Sequence, residues 1–389
     1  MVTLETADSA LKSFYLDAVA DALDVKANPF LAQIQKTTSD VVGKDVKKLV
    51  RIGVNGGISA GSETGDLPTA SSNDYAEFVV GLKNLYGKIE ISDKAIRASA
   101  NNEGAFVNLL NDEMQGLVKS ASYNFGRMLF GDGTGKVAQV ATIMGDNEIT
   151  LDTITGLEEG MIVDFYTASG AAISAAKGRK IIGMIRDARI IIVDGGTLNT
   201  TIVPAGSGVY IQSSKDYEIT GLGAIFSDSE LYGMDRDKSF MRPLIDDDVG
   251  EISEGKIQQT IDLVEEYSGS KINFIICSWG VRRAIVDYMR QYSIMLPTTE
   301  LAGGFTALTF NGIPVIADKF CPKGTMYLLN TNDFKLHQLC DWQWLEGEDG
   351  KILKQVPGKP VYTATLVKYA ELLCERPYGQ ARLGGIVEM

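Results

Sequence analysis

One stretch limits the architecture more than any other. Residues 46–54 read as a strand, with Val46, Leu49, Val50, Ile52 and Val54 set among Lys47, Lys48 and Arg51. Residues 75–91 read as a second extended stretch. Between them runs Asn55-Gly56-Gly57-Ile58-Ser59-Ala60-Gly61-Ser62-Glu63-Thr64-Gly65-Asp66-Leu67-Pro68, followed by Thr69-Ala70-Ser71-Ser72-Asn73-Asp74. This tip is rich in glycine and serine, nearly bare of large apolar groups, and without lysine or arginine. Structureless loops of this length are uncommon inside compact domains and are usually functional. A two-stranded ribbon is marginal by itself. The sequence therefore demands a docking surface that the local residues do not supply.

The flanking segments have clearer periods. Leu11, Phe14, Tyr15, Ala18, Val19, Ala22 and Leu23 recur at helical steps over residues 8–24, opposite Lys12, Asp17, Asp21 and Asp24. After the ribbon, Asp93 caps a short lead-in. A long helix is then predicted over 103–130, with Val107, Leu110, Met114, Leu117, Val118, Ala121, Phe125, Met128 and Leu129 on one stripe. At 1.5 Å per residue it is a rod of about 42 Å, stopped by Gly131-Asp132-Gly133-Thr134-Gly135. Residues 139–216 change texture. Short β-rich runs (148–151, 161–166, 180–185, 189–193, 200–203 and 208–212) are separated by turns such as Asp194-Gly195-Gly196, which predicts a small inserted all-β module. From Ile252 the pattern alternates: helix 253–267, strand 271–277, helix 281–292, a flexible segment 297–305, and strands around 310–317 and 325–329. Two long β stretches, 334–345 and 362–374, close the chain around a polar loop.

Composition removes most chemistries. The 389 residues hold one histidine and four cysteines with no CxxC, which excludes most His-based triads and metal sites and argues for free thiols. Lys+Arg 37 against Asp+Glu 50 leaves a net charge of −13, which disfavours a dedicated nucleic-acid gripper. The N-terminal residues lack the basic and apolar regions of a signal peptide, and no apolar run has the length to span a bilayer.

The motifs that suggest catalysis lack their context. Gly57-Ile58-Ser59-Ala60-Gly61 matches G-x-S-x-G, so a serine hydrolase using Ser59 is the alternative from another class. Yet Gly61, Ser62, Gly65 and Pro68 cannot start the helix that lifts such a serine, and His337 is the only candidate base. Gly131–Lys136 looks like a phosphate loop but closes a helix instead of opening one, and Val137 stands where Ser or Thr is needed. Asp246-Asp247-Asp248 and Asp235-x-Asp237-x-Ser239 read as solvated acidic linkers, because Phe240 replaces the glycine a calcium loop requires. His337 reads as a strand-packing residue, and Trp342 with Trp344 as one apolar strand face. Lys44, Lys47, Lys48 and Arg51 lack aromatic interleaving and read as an ion-pair site between subunits or a solvated face. No catalytic residue, cofactor or metal ligand is assigned.

The order of the parts resembles a major capsid protein of tailed bacteriophages, the Hong Kong 97-type fold. Phe310-Asn311-Gly312-Ile313-Pro314-Val315-Ile316 is similar to that family's G-x-P-V strand. Ile275–Trp279 followed by a helix resembles its tryptophan-containing turn, and Arg376–Ile386 resembles its closing segment. The match resumes at Gly221-Leu222, so the β-rich module looks like an insertion. The resemblance implies an α+β fold divided as an N-terminal arm (1–45), an E-loop hairpin (46–92), a P-domain spine helix (93–138), the inserted module (139–216), the rest of the P-domain (217–250 and 334–389), and an α/β A-domain (251–333).

The function it implies is a structural subunit of an icosahedral head, made in the bacterial host cytoplasm. Such subunits form hexamers and pentamers around packaged double-stranded DNA, which is touched only non-specifically. An encapsulin-type nanocompartment is the alternative within the same fold. Implied partners are further copies of the chain, a portal protein, a decoration protein, and a separate scaffolding protein, the last because Met1 stands just before the arm helix. No membrane partner is implied. Expected subunit contacts are Glu63 and Asp66 at the ribbon tip, Lys47, Lys48 and Arg51 on the ribbon, Leu301 and Phe305 near the capsomer centre, and Glu348, Asp349 and Lys359 in the loop 346–360. No lysine lies between Gly53 and Ala76, so cross-linking through the tip is not expected.

Overall fold

A computed structural model describes residues 28–94, 103–145, 147–291, 298–301, 305–347 and 350–389. The arm helix read over 8–24, and the lead-in beyond Lys94, lie outside the described residues. Among the described residues the strands form a five-stranded sheet, a seven-stranded sheet, a closed barrel and a three-stranded ribbon sheet.

The five-stranded sheet is built on Val361–Cys374. This strand pairs antiparallel with Lys83–Ser92 along one edge and with Phe334–Trp344 along the other. Gln35–Thr37 adds in parallel beside Phe334–Trp344. The long helix Glu103–Met128 lies on this sheet, with Leu117 against Gly87, and sends Met114, Phe125 and Met128 into the main core. The helix ends two residues before the predicted limit. There the last turn tightens, with Phe130 N–H donating to Arg127 O and Gly131 N–H to Met128 O. The chain returns at Gly221, where an added Cβ would sit 2.4 Å from Met128 O and 2.6 Å from Leu129 O. Only glycine permits this approach.

The seven-stranded sheet is covered on both faces. Ile275 and Cys277 of the central strand Phe274–Cys277 face helices Glu254–Ser268 and Trp279–Gln291, while Phe274 and Ile276 face the main core. Helix Glu254–Ser268 starts where the Ser253 hydroxyl accepts from Lys256 N–H, and stops at left-handed Gly269 (φ 63°). The predicted 310–317 strand divides into Phe305–Phe310 and Ile313–Ala317, because Asn311 and Gly312 both take positive φ and form a tight hairpin turn. The segment read as flexible contains strand Thr298–Leu301, which pairs with Phe305–Phe310 at the sheet's outer edge.

The barrel has its own core of Val140, Ile149, Leu151, Val163, Phe165, Ile181, Ile191 and Val209, alternating along its strands. Its first strand is Lys136–Gly145, so Lys136, Val137 and Ala138 belong to the barrel and not to the helix block. Residues 200–203 are turns, not the predicted strand: the Asn199 side chain accepts from Thr201 and Ile202 N–H and draws the backbone out of line. The mouth is closed by Asp216 N–H donating to Thr134 O at 2.8 Å, so the chain enters and leaves at one point.

Two outcomes follow from this packing. Gly221→Ala should lower stability by about 3 kcal/mol through overpacking, whereas Gly116→Ala, exposed on the long helix with open space around it, should raise it by about 1 kcal/mol. Thermal denaturation of both variants checks the pair. Excising residues 136–215 and joining the ends with a short glycine linker should leave the remaining sheets folded, as read by circular dichroism and limited proteolysis.

Candidate assembly surfaces

The ribbon strands Asp45–Ile52 and Asp74–Gly81 pair in register from Asp45 opposite Gly81 to Ile52 opposite Asp74. Alternation gives them two different faces. Val46, Ala76 and Phe78 are buried, and the Phe78 ring packs 5.6 Å from that of Tyr232. Lys47, Leu49, Arg51, Tyr75, Glu77 and Val79 are exposed on the other face. The extended stretch read over 75–91 is in fact two strands. It leaves the ribbon at Gly81 and, after Leu82 alone, joins the five-stranded sheet as Lys83–Ser92. The ribbon is thus rooted in its own body as far as Ile52, a docking surface not foreseen from the local residues.

Beyond Gly53 the support ends. The two arms of the tip still run side by side: Asn55 Nδ2 donates to Ser71 O at 3.0 Å, Gly57 lies against Ser71 and Thr69, and Gly61 is near Asp66. Almost every side chain there is in solvent, with Val54 93%, Ile58 85% and Leu67 91% exposed. Glu63 and Asp66 are exposed at its far end.

The other expected contacts are scattered. Lys48 is on the inner face, where its ammonium meets Asp40 at 2.7 Å and Glu375 at 3.6 Å. The bond to Asp40 raises its pKa against the opposing effect of burial. Lys48 is therefore engaged within the chain, while Lys47 and Arg51 are exposed. Leu301 and Phe305 are backbone partners in the edge hairpin. Lys359 is exposed in the loop before Val361, and Glu348 and Asp349 lie outside the described residues. The tip, the edge hairpin and the loop are three separate places in the fold.

A surface not anticipated from the sequence lies beside the ribbon. A cavity of about 770 Å³ opens between its end and the body, lined by Arg51, Arg242 and Arg376 together with Phe240, Leu263 and Tyr267. The three arginines come from distant segments, and no periodic pattern could have grouped them.

The catalytic suggestions find no geometry. Ser59 sits in the exposed tip, with neither a strand before it nor a helix after it. His337 is fully buried, its Nδ1 3.1 Å from Ser39 O, and burial lowers its pKa. Asp246 pairs with Lys256 and Asp247 with Arg382, each at 2.6 Å. Among the described residues no group of three or more His, Cys, Asp or Glu could hold a metal ion. Trp342 and Trp344 are core residues.

Among the buried ionisable groups that sequence reading missed, two sit on the central strand. Lys368, at the middle of Val361–Cys374, reaches Asp341 at 2.5 Å and Gln338 at 3.1 Å, with the Phe125 ring 5.2 Å away. Burial works against the Asp341 charge, but Lys368 and Lys36 bring its pKa down to about 2. Glu371 is buried with Oε1 accepting from Thr220 and Leu372 N–H and Oε2 without a partner. Burial pushes its pKa up to about 7 against those two bonds.

No family model matches the sequence, and no curated protein matches it. Solved structures do. A subunit of the Cyanophage A-1(L) capsid superposes with a TM-score of 0.56 at 10% identity, over 93% of this chain and 94% of that one. The capsid of a native GTA particle gives 0.47 at 11% identity, over 92% and 90%. The SrpI encapsulin of Synechococcus elongatus PCC 7942 gives 0.46 at 10% identity, over 93% and 89%. The chain has the α+β Hong Kong 97-type fold seen in phage capsid subunits.

Glu371 generates a pH prediction. Its folded pKa lies above the usual carboxylate value, so its contribution is fully present below about pH 4.5 and is lost as pH rises through about 7. Glu371→Gln should therefore be more stable than the parent at pH 8, by on the order of a few kcal/mol of unfolding free energy. The difference should shrink toward pH 4.5 in paired thermal melts.

Proposed function

We propose that this chain is the structural subunit of an icosahedral bacteriophage head, self-assembling into hexamers and pentamers that enclose packaged double-stranded DNA. The observation that carries the reading is the superposition on the Cyanophage A-1(L) capsid subunit across nearly the whole of both chains. Three features support it. The ribbon tip has apolar and acidic groups that its own body leaves in water. Neither Ser59 nor His337 has the surroundings that hydrolysis needs. The net charge of −13 keeps an inner wall from trapping nucleic acid, since phosphate binding draws on cations. Repeated modest contacts closed by symmetry give such a shell its durability.

In this reading the barrel is an insertion carried at the end of the long helix, and the edge hairpin Thr298–Leu301 with Phe305–Phe310 faces the capsomer centre. A scaffolding protein, a portal protein and a decoration protein complete the head. The shell is held without covalent links through the tip, which has no lysine.

Negative-stain microscopy of the purified chain, alone and with a co-expressed scaffold, should show closed shells. Denaturing electrophoresis of those particles should show this chain as a single band at 42.1 kDa. A ladder of multiples would contradict the non-covalent shell. A chain that stays monomeric in every condition would contradict the function. Shells that carry a protein cargo and never DNA would move the assignment to a nanocompartment.

A further inference from the structure

We propose that the arginine-lined cavity beside the ribbon is the receptor for the acidic ribbon tip of a second copy of this chain. The inference rests on the assembly reading above and names the two surfaces that meet.

The cavity is built for a carboxylate-bearing, partly apolar segment. Arg51, Arg242 and Arg376 line it, and none of its lining residues is acidic. Arg376 is fixed in place, donating to Ser268 O at 2.6 Å with its guanidinium 5.3 Å from the Tyr378 ring centroid. Arg242 donates to Arg236 O at 2.7 Å and pairs with Asp237 at 3.0 Å, which leaves part of its fork committed. Arg51 is exposed at the mouth. Phe240 and Leu263 supply apolar wall, and Tyr267 stands at the rim, 72% exposed.

The tip has the complementary chemistry. Glu63 and Asp66 are its acids, no lysine or arginine lies between Gly53 and Ala76, and Leu67 beside Asp66 is 91% exposed. Carboxylates seat bidentately on guanidinium forks, and Leu67 leaves water against Phe240 and Leu263. Contacts of this kind gain both charge pairing and apolar burial.

The chain's own tip is excluded by geometry. Arg51, Ile52, Gly53 and Val54 form one wall of the cavity, and from there the two arms run on side by side through Asn55–Ser71, Gly57–Thr69 and Gly61–Asp66. Ten extended residues carry Ser62 about 33 Å beyond Ile52. Glu63 and Asp66 therefore point away from the cavity beside their own root, and a neighbouring copy must supply the pair that fills it. The contact is head-to-tail, so each copy offers one tip and one receptor, and the array ends only by closing on itself.

Disulfide trapping between two differently tagged chains tests the proposal, with Cys340→Ser in both because the other three thiols are buried. One chain carries Asp66→Cys and the other Tyr267→Cys. Mild oxidation of the mixture should give a heterodimer of about twice the monomer mass, which a single chain folding back cannot produce. Its yield should fall several-fold when Arg51→Glu and Arg242→Glu are added to the Tyr267→Cys chain. It should fall likewise in about 1 M salt, where screening acts within about 3 Å. Glu63→Cys serves as a second probe, so that one unfavourable sulfur geometry does not decide the matter. Absence of the heterodimer with both probes overturns the proposal, as does a yield indifferent to the arginine substitutions. Shells without the heterodimer would sink the docking and leave the shell standing. The heterodimer without shells would do the reverse.

Discussion

Strand Val361–Cys374 ties the molecule together. It is hydrogen-bonded along one edge to Lys83–Ser92 and along the other to Phe334–Trp344, and the long helix lies over the sheet they make. Because the ribbon continues directly out of Lys83–Ser92, the least supported part of the chain grows from the most supported. A ribbon of this kind has little cohesion alone. Here its root shares the main core through Phe78 and Ala76, while the tip beyond Gly53 stands in solvent without that support.

The middle of that strand carries a charge where a hydrocarbon would be easier to bury. Lys368 is fully enclosed, and its ammonium is satisfied by Asp341, Gln338 and the faces of Phe125 and Trp342. Buried ion pairs seldom add net stability over a well-packed apolar core, but they punish a misplaced partner severely. A helix that slid along the sheet would strip Phe125 from the ammonium. A strand that slipped would strip Asp341. The arrangement favours one position of helix on sheet over its neighbours.

Much of this was legible in the chain itself. The alternation Val46-Lys47-Lys48-Leu49-Val50-Arg51-Ile52 gave the ribbon, and the apolar stripe through Met114, Phe125 and Met128 gave the long helix. What escaped were choices of partner. Tyr75–Ile91 is rich in strand-forming residues on both sides of Gly81, and one glycine with a broken alternation is a weak mark for the change of sheet at Leu82. Thr200–Val203 is β-branched and apolar enough to pass for a strand, but Asn199 takes its backbone donors first. The acidic tip could be read directly, since it is one contiguous segment. The cluster of Arg51, Arg242 and Arg376 could not, because only the folded chain brings those three segments together.

The barrel's closed mouth has a mechanical meaning. Thr134 and Asp216 meet by a hydrogen bond, and just beneath them Arg127 near the end of the long helix grips Glu218 on the returning chain. A pull on the barrel's far loops therefore reaches the body beside the end of the long helix, where both chain crossings meet and where Gly156 lies against Arg127 and Glu158 bonds Tyr123. Load attached at that distance is shared among these neighbouring contacts before it reaches the two large sheets.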